Sequence, residues 1–179
     1  ADIWIRPGTP NIFNEMAHET EFAGVVERTA PILPWYQEKL KGYTRMQYST
    51  LQDVDWKWNE SGGHFFNMGM MLLNRHIVMY LPVQSNGKRQ SGKDFIQRPE
   101  FKRFVDGLGA WKWSTDQTLL NWWVKKENMQ LQELSWKWNA LFTAIPNDKI
   151  KEAYFVHFFL KDKLPNGGEN VEELMEIVQ

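Results

Sequence analysis

Phe66-Asn67-Met68-Gly69-Met70-Met71-Leu72-Leu73-Asn74 lies inside the most apolar segment of the chain, residues 64–80. Its apolar run over residues 68–73 is short and continuous, which predicts a β-strand buried on both faces rather than an amphipathic helix. Gly69 within such a run marks a bulge or a close approach of backbone. Asn67, at once donor and acceptor, would stand near the mouth of that strand.

Upstream, residues 2–5 read as the end of a strand that Arg6-Pro7-Gly8-Thr9-Pro10 breaks. Residues 11–19 suit one short helix, and residues 21–27 a strand with Gly24 at a close approach. Pro31 and Pro34 exclude regular strand pairing through the next connection. Residues 43–63 show no period, as expected of a long connection or of a loop that folds over a ligand. Downstream, Ser85-Asn86-Gly87-Lys88 and Ser91-Gly92-Lys93 mark a mobile polar loop, without the glycine spacing of a phosphate loop.

Pro99 opens a predicted helix carrying Phe101, Phe104, Val105 and Leu108 on one side, closed by Gly107 or Gly109. A second helix starts near Ser114, which has capping-box spacing to Gln117, and Leu119, Leu120, Trp123 and Val124 supply its apolar stripe. Residues 153–159 are strong strand formers. Asn170 caps a last helix with Val171, Leu174, Met175 and Val178 on one face. Strands alternate with helices, so the fold class is α/β. The 179 residues make one domain, 1–179, with residues 165–179 as a C-terminal helical tail.

Charged residues are 24% of the chain and the formal net charge is −1, with lysines and arginines scattered. That distribution argues against an electrostatic grip on nucleic acid. The absence of cysteine removes disulfides, thiolate zinc sites and a cysteine nucleophile, and fits a reducing, cytoplasmic compartment. No apolar run reaches the roughly 18 residues a membrane span needs, and the first residues do not resemble a secretory signal. A membrane anchor upstream of Ala1 stays compatible with this sequence. His64 and His76 flank the apolar run without a third ligand at useful spacing. Neither a Gly-x-Ser-x-Gly elbow nor a His-Glu-x-x-His helix occurs.

Ten tryptophans are unusual, several in pairs: Trp56/Trp58, Trp111/Trp113, Trp122/Trp123 and Trp136/Trp138. Indole faces suit the C–H faces of sugar rings, and they equally fill cores. Trp-Lys-Trp-Asn occurs at 56–59 and again at 136–139, without the similar flanks a structural repeat requires.

Four motifs taken in order carry a family likeness: Ala1-Asp2-Ile3-Trp4-Ile5, Phe66-Asn67-Met68-Gly69, Asp116-Gln117 followed by Asn121, and Tyr154-Phe155-Val156-His157-Phe158. The set resembles the GT-A glycosyltransferases, most closely the retaining type that includes glycogenin-like and bacterial lipopolysaccharide sugar transferases (family 8). The resemblance runs from residue 1 to about residue 163. It implies a partial GT-A, nucleotide-diphospho-sugar-transferase-like mixed sheet with flanking helices. The implied activity is transfer of a hexose from a nucleotide-sugar donor to a glycan or other hydroxyl acceptor.

By the same resemblance Asp2 corresponds to the second Asp of the family's Asp-x-Asp metal motif and His157 to its C-terminal histidine. The two would hold Mn²⁺ or Mg²⁺, which neutralises the charge growing on a leaving diphosphate. Asn67 and Gly69 would face the donor sugar. Asp116 and Gln117 would orient the reacting groups. Trp138-Asn139 matches a recurrent substrate-side pair, and Lys163 a lysine that contacts phosphate.

Leu160 departs from the family, which has glycine three residues after the histidine; Pro165 is displaced and a following tryptophan is missing. The first Asp of the metal motif and the strands that cradle the base would precede Ala1. The resemblance therefore implies an acceptor-side portion of such an enzyme, impaired as it stands, with exposed sheet edges that favour a homodimer. A non-catalytic, tryptophan-rich carbohydrate-binding protein is the alternative reading.

Overall fold

A computed structural model describes residues 2–91, 93–94, 97–108 and 114–179, with Glu100 described by its backbone alone. Ala1, Gly92, Gly109, Trp111 and Trp113, singled out above, lie outside the described residues.

Two three-stranded mixed sheets organise the chain. The first has the order β1 (Ile3–Ile5), β6 (Phe155–His157), β5 (Ala140–Leu141). β1 is antiparallel to β6, with Ile3 opposite His157, and β5 is parallel to β6. The second has the order β3 (Phe66–Leu73), β2 (Phe22–Val26), β4 (Leu131–Glu133), with β2 antiparallel to β3 and parallel to β4. Mixed α/β architecture follows, as the alternation of patterns predicts.

β2, not β3, is the strand buried along its whole length. β3 alternates at its far end, with Met70 and Leu72 buried and Met71 and Leu73 exposed. It is paired antiparallel to β2, and at this end one of its faces meets solvent. Between Gly24 and Val25 the register jumps, from Gly24 opposite Met71 to Val25 opposite Asn67. Residues 68–70 are thus extra on β3 and bulge out of the ladder, as Gly69 foreshadows. Gly24 sits where a Cβ would come 3.1 Å from a ring carbon of Phe66, which accounts for its lack of a side chain.

Helix α1 (Pro34–Gln47) is the main departure from the sequence expectation, because it covers part of the segment without an apparent period. Pro34 occupies its first turn, where the missing N–H costs nothing and the fixed φ suits a helix. Tyr36, Leu40, Tyr43, Thr44 and Gln47 form its buried stripe. That stripe is half polar, so hydrophobic periodicity does not reveal it. Residues 11–19 yield only a single 3-10 turn, Ile12–Glu15, capped by Asn11.

Helices α2 (Pro99–Gly107) and α3 (Thr115–Lys126) lie near their expected positions. Phe101, Leu119, Trp123 and Val124 pack with Phe22, Val26 and Phe66 in one core. The capping box at Ser114 does not form. Ser114 has φ 52° and its side chain makes no cap, while Gln117 turns inward to other partners. After the single turn α4 (Asn147–Ile150) and β6, helix α5 (Val171–Val178) starts at Asn170, whose side chain accepts from the Glu173 N–H as expected. Leu174 and Val178 bury against Ala140, Ile150 and Val156, so the C-terminal helix belongs to the core. Among the described residues no helix is long and apolar enough to cross a membrane.

Candidate functional site

The N-terminal end of β1, the C-terminal end of β2, the bulge of β3, one face of α1 and the start of α3 converge on a cavity of about 340 Å³. Asp2, Asn67, Gly69, Asp116, Gln117 and His157 all line it. Residues far apart in sequence meet there because the antiparallel pairing of β1 with β6 sets Ile3 opposite His157. The Phe158 N–H donates to the Asp2 carbonyl at 2.7 Å, continuing the ladder one step. The Asp2 carboxylate, largely exposed, then lies with Oδ2 3.2 Å from Nε2 of the nearly buried His157.

That separation fits two adjacent donors of one six-coordinate ion, because ligands at about 2.0–2.1 Å and right angles stand about 3 Å apart. Among the described residues no group of three or more His, Asp or Glu side chains could hold a metal. Asp2 and His157 are a two-donor set, and ligand or water oxygens would complete the coordination, as is common for Mg²⁺. His157 Nδ1 is buried without a hydrogen-bond partner. It abuts Gly69, where a Cβ would overlap the imidazole. The glycine is therefore required by the ring.

The floor of the cavity is a polar network centred on Glu27, a residue the sequence motifs do not single out. Glu27 ends the buried run of β2 and is only 3% exposed. Three donors converge on its carboxylate: the Tyr36 hydroxyl (2.7 Å), Asn67 Nδ2 (2.5 Å) and Gln117 Nε2 (3.0 Å). A buried carboxylate is tolerable only with such compensation. Glu27 and burial together push the Tyr36 phenol far above its ordinary range, burial being the larger cause. Burial likewise raises the Tyr43 phenol, so both tyrosines stay neutral donors at the cavity wall.

Asn67 Oδ1 accepts from the Gly69 N–H (2.8 Å) and from Asn139 Nδ2 (2.7 Å). Asn139 therefore fixes the amide of Asn67 from behind, without lining the cavity. Gln117 accepts the Met68 N–H at 3.2 Å while donating to Glu27, so it clamps the bulge to the floor. Both ends of its amide are committed, which makes it a positioning residue. Asn121 likewise accepts the Phe66 N–H (2.6 Å) and donates to the Phe66 carbonyl (2.8 Å), pinning β3 to α3. Asp116 is exposed at the rim.

Besides Asn139, two expected residues sit off the cavity wall. Trp138 is 1% exposed and packs on Tyr154 and Phe155 in the core, away from the cavity wall. Its apolar bulk, not sugar contact, accounts for that place. Lys163 is exposed on a 3-10 turn, Lys161–Lys163, outside the cavity lining. Leu160, where the family pattern has glycine, lines the cavity with φ 54°, so the left-handed backbone persists despite its Cβ. Glu27 was legible only as an acidic residue closing a predicted strand; nothing local marks it as functional.

No protein-family model, no curated protein and no solved structure matches this chain.

Proposed function

We propose that the protein belongs to a glycosyl-transfer system: it binds a nucleotide-sugar donor with Mn²⁺ or Mg²⁺ and positions a hexose for transfer to a hydroxyl acceptor. The observation that carries this reading is the convergence of Asp2, Asn67, Gly69, Asp116 and His157 on one cavity. Trp138 and Lys163, drawn from the same likeness, lie outside that cavity. When bound, the ion supplies charge neutralisation for a departing diphosphate.

This chain's own residues do the rest. Asp2 and His157 present an oxygen and a nitrogen 3.2 Å apart. Glu27, Asn67 and Tyr36 direct their hydrogen bonds at one another and so give the cavity a rigid polar lining, against which a sugar ring would rest. Gln117 and Asn139 hold that lining in place. Asp116, exposed at the rim, would orient an incoming hydroxyl.

The test is Mn²⁺ binding, followed through the free-ion paramagnetic resonance signal, with and without UDP-hexoses. Asp2→Ala and His157→Ala should each weaken Mn²⁺ binding by about tenfold or more. Donor binding should require the ion. Equal Mn²⁺ affinity in wild type and both variants would remove the metal site and the reading with it.

One observation favours the alternative of a glycan-binding protein. Trp58 is 46% exposed beside Lys41, Arg45, Asn59 and Glu60 in a surface hollow, a setting suited to stacking a sugar ring. Glycan binding that ignores chelator, with no nucleotide-sugar binding, would establish it instead.

A further inference from the structure

A second, separate constellation surrounds Lys125 in the last turn of α3. Its Nζ lies 3.2 Å from Nδ1 of His64, whose Nε2 lies 3.5 Å from Glu133 Oε2 at the end of β4. Glu133 Oε1 accepts from the Thr29 hydroxyl at 2.6 Å. With Nε2–H turned to the carboxylate, Nδ1 carries the lone pair and accepts from the amine. The order amine, imidazole, carboxylate is that of an activated nucleophile with an oriented base.

Two cations, Arg28 and Lys57, and two carboxylates, Asp55 and Glu133, surround the amine. The Arg28 guanidinium is held nearby by the carbonyls of Lys57 and Gly62, each at 2.7 Å. Arg28 and Lys57 both repel a charge on Lys125, which Asp55 only partly offsets. Lys126, the next residue, is instead neutralised by Asp53 at 2.8 Å. The Lys125 Nζ itself lies over the rings of Phe66, 5.5 Å from its centroid, and Trp56, at 5.9 Å. Lys125, Lys57 and Lys126, with Asp53 and Asp55, border a hollow of about 500 Å³, which shares no lining residue with the cavity described above.

We propose that Lys125 is a carbamate site, its side-chain amine taking up carbon dioxide. The neutral Nζ lone pair attacks the carbon, an N–C bond forms, and one C=O π pair moves onto oxygen. The N–H proton passes to His64 Nδ1 and then to solvent, leaving –NH–COO⁻ and one released proton. No leaving group or oxidant is needed. The product replaces the Lys125 cation by an anion, so repulsion from Arg28 and Lys57 becomes attraction, against the smaller opposing effect of Asp55. An acyl group would only neutralise the amine and leave those two cations without a new counter-charge.

Burial, followed by Lys57 and Arg28, lowers the Lys125 pKa to about 8. At pH 8 its neutral fraction is roughly 100-fold that of an ordinary lysine. Burial, then Lys125, lowers the His64 pKa as well, while Glu133 opposes the shift. The imidazole is thereby kept free to receive a proton.

The folded protein is equilibrated with ¹³C-bicarbonate at pH 8, observed by ¹³C NMR, then treated with a trialkyloxonium ester that fixes carbamates for peptide mapping. The expected result is one carbamate resonance and a trapped mass at Lys125 at least about tenfold above that at Lys126. Lys125→Arg should lose the resonance while keeping its circular dichroism. Mapping on the wild type identifies the residue even if that variant does not fold. Label absent from Lys125, or spread evenly over the lysines, would overturn the proposal and leave Lys125 a packing cation. Neither result bears on Mn²⁺ or nucleotide-sugar binding, which is read at a different cavity.

Discussion

Replacing Gly69 with alanine adds a single methyl carbon where the bulge of β3 meets His157. Built on the existing backbone, that carbon falls within the van der Waals envelope of His157 Nδ1 and Cε1, and 3.0 Å from Asn67 Oδ1. Carbon atoms rest about 3.5–4.0 Å apart, so the imidazole must retreat by about 1 Å or the bulge must open. Retreat pulls Nε2 from its position 3.2 Å from Asp2. Opening strains the Gly69 N–H to Asn67 Oδ1 bond and, through Asn67, the Glu27 network.

Overpacking of this kind costs about 1–3 kcal/mol. The displaced donor should also weaken Mn²⁺ binding by about tenfold or more. Urea denaturation gives the first quantity and the free-Mn²⁺ signal the second. Gly107→Ala is the control: among the described residues no atom beyond its own helix backbone and chain neighbours lies within 4 Å of its Cβ position, and alanine in a helix is favoured by about 0.5–1 kcal/mol. Gly69→Ala with an unchanged denaturation midpoint and unchanged Mn²⁺ affinity would refute the packing argument.

Four further outcomes are expected. Glu27→Ala, which strips the acceptor from three buried donors, should cost about 3 kcal/mol in urea denaturation, and Glu27→Gln clearly less. Trp138→Ala should cost about 3–5 kcal/mol as a core cavity, while Trp138→Phe, if folded, should leave donor binding unchanged in saturation-transfer NMR; a selective loss of binding would restore a contact role.

Hydrogen bonds from the Tyr80 hydroxyl, and then the Gln130 N–H, hold the Glu21 carboxyl below its ordinary value. On acidification the unfolded chain takes that proton first. The contribution is therefore full above the ordinary pKa and lost as pH falls through the lower folded value. Tyr80→Phe should accordingly lower stability by about 0.5–1 kcal/mol at pH 7 and by less near pH 3, read from thermal midpoints; a constant difference would contradict the linkage. Lys163→Ala should change stability by less than about 0.5 kcal/mol, and any fall in donor affinity measured by calorimetry would show that Lys163 reaches a phosphate.

Local chemistry made much of this protein legible from its sequence. Asn170 with Glu173 three residues on defined the last helix, Pro99 opened α2, and β-branched and aromatic residues marked β2 and β6. Gly69 was readable as a bulge because few other reasons place glycine within an apolar run. Interactions that act over a few residues leave their signature in a few residues.

Only the tertiary structure decided the rest. The stripe of α1 mixes tyrosines with Thr44 and Gln47; Tyr43 and Gln47 find a partner in the distant Thr118, while the Thr44 hydroxyl bonds back to Leu40 and Lys41. Trp138 and Trp58 belong to the same repeated tetrad, yet one is core and the other surface, because neighbours and not composition set burial. Glu27 acquires its place from Tyr36, Asn67 and Gln117, three residues on three other elements. Local pattern located most of the strands and helices, α1 excepted, and singled out Asp2, Asn67, Gly69, Asp116, Gln117 and His157 among the fifteen residues that line the cavity. Long-range pairing of β1 with β6 and of β2 with β3 decided which of them meet, since a buried charge becomes stable only after the chain has brought its donors together.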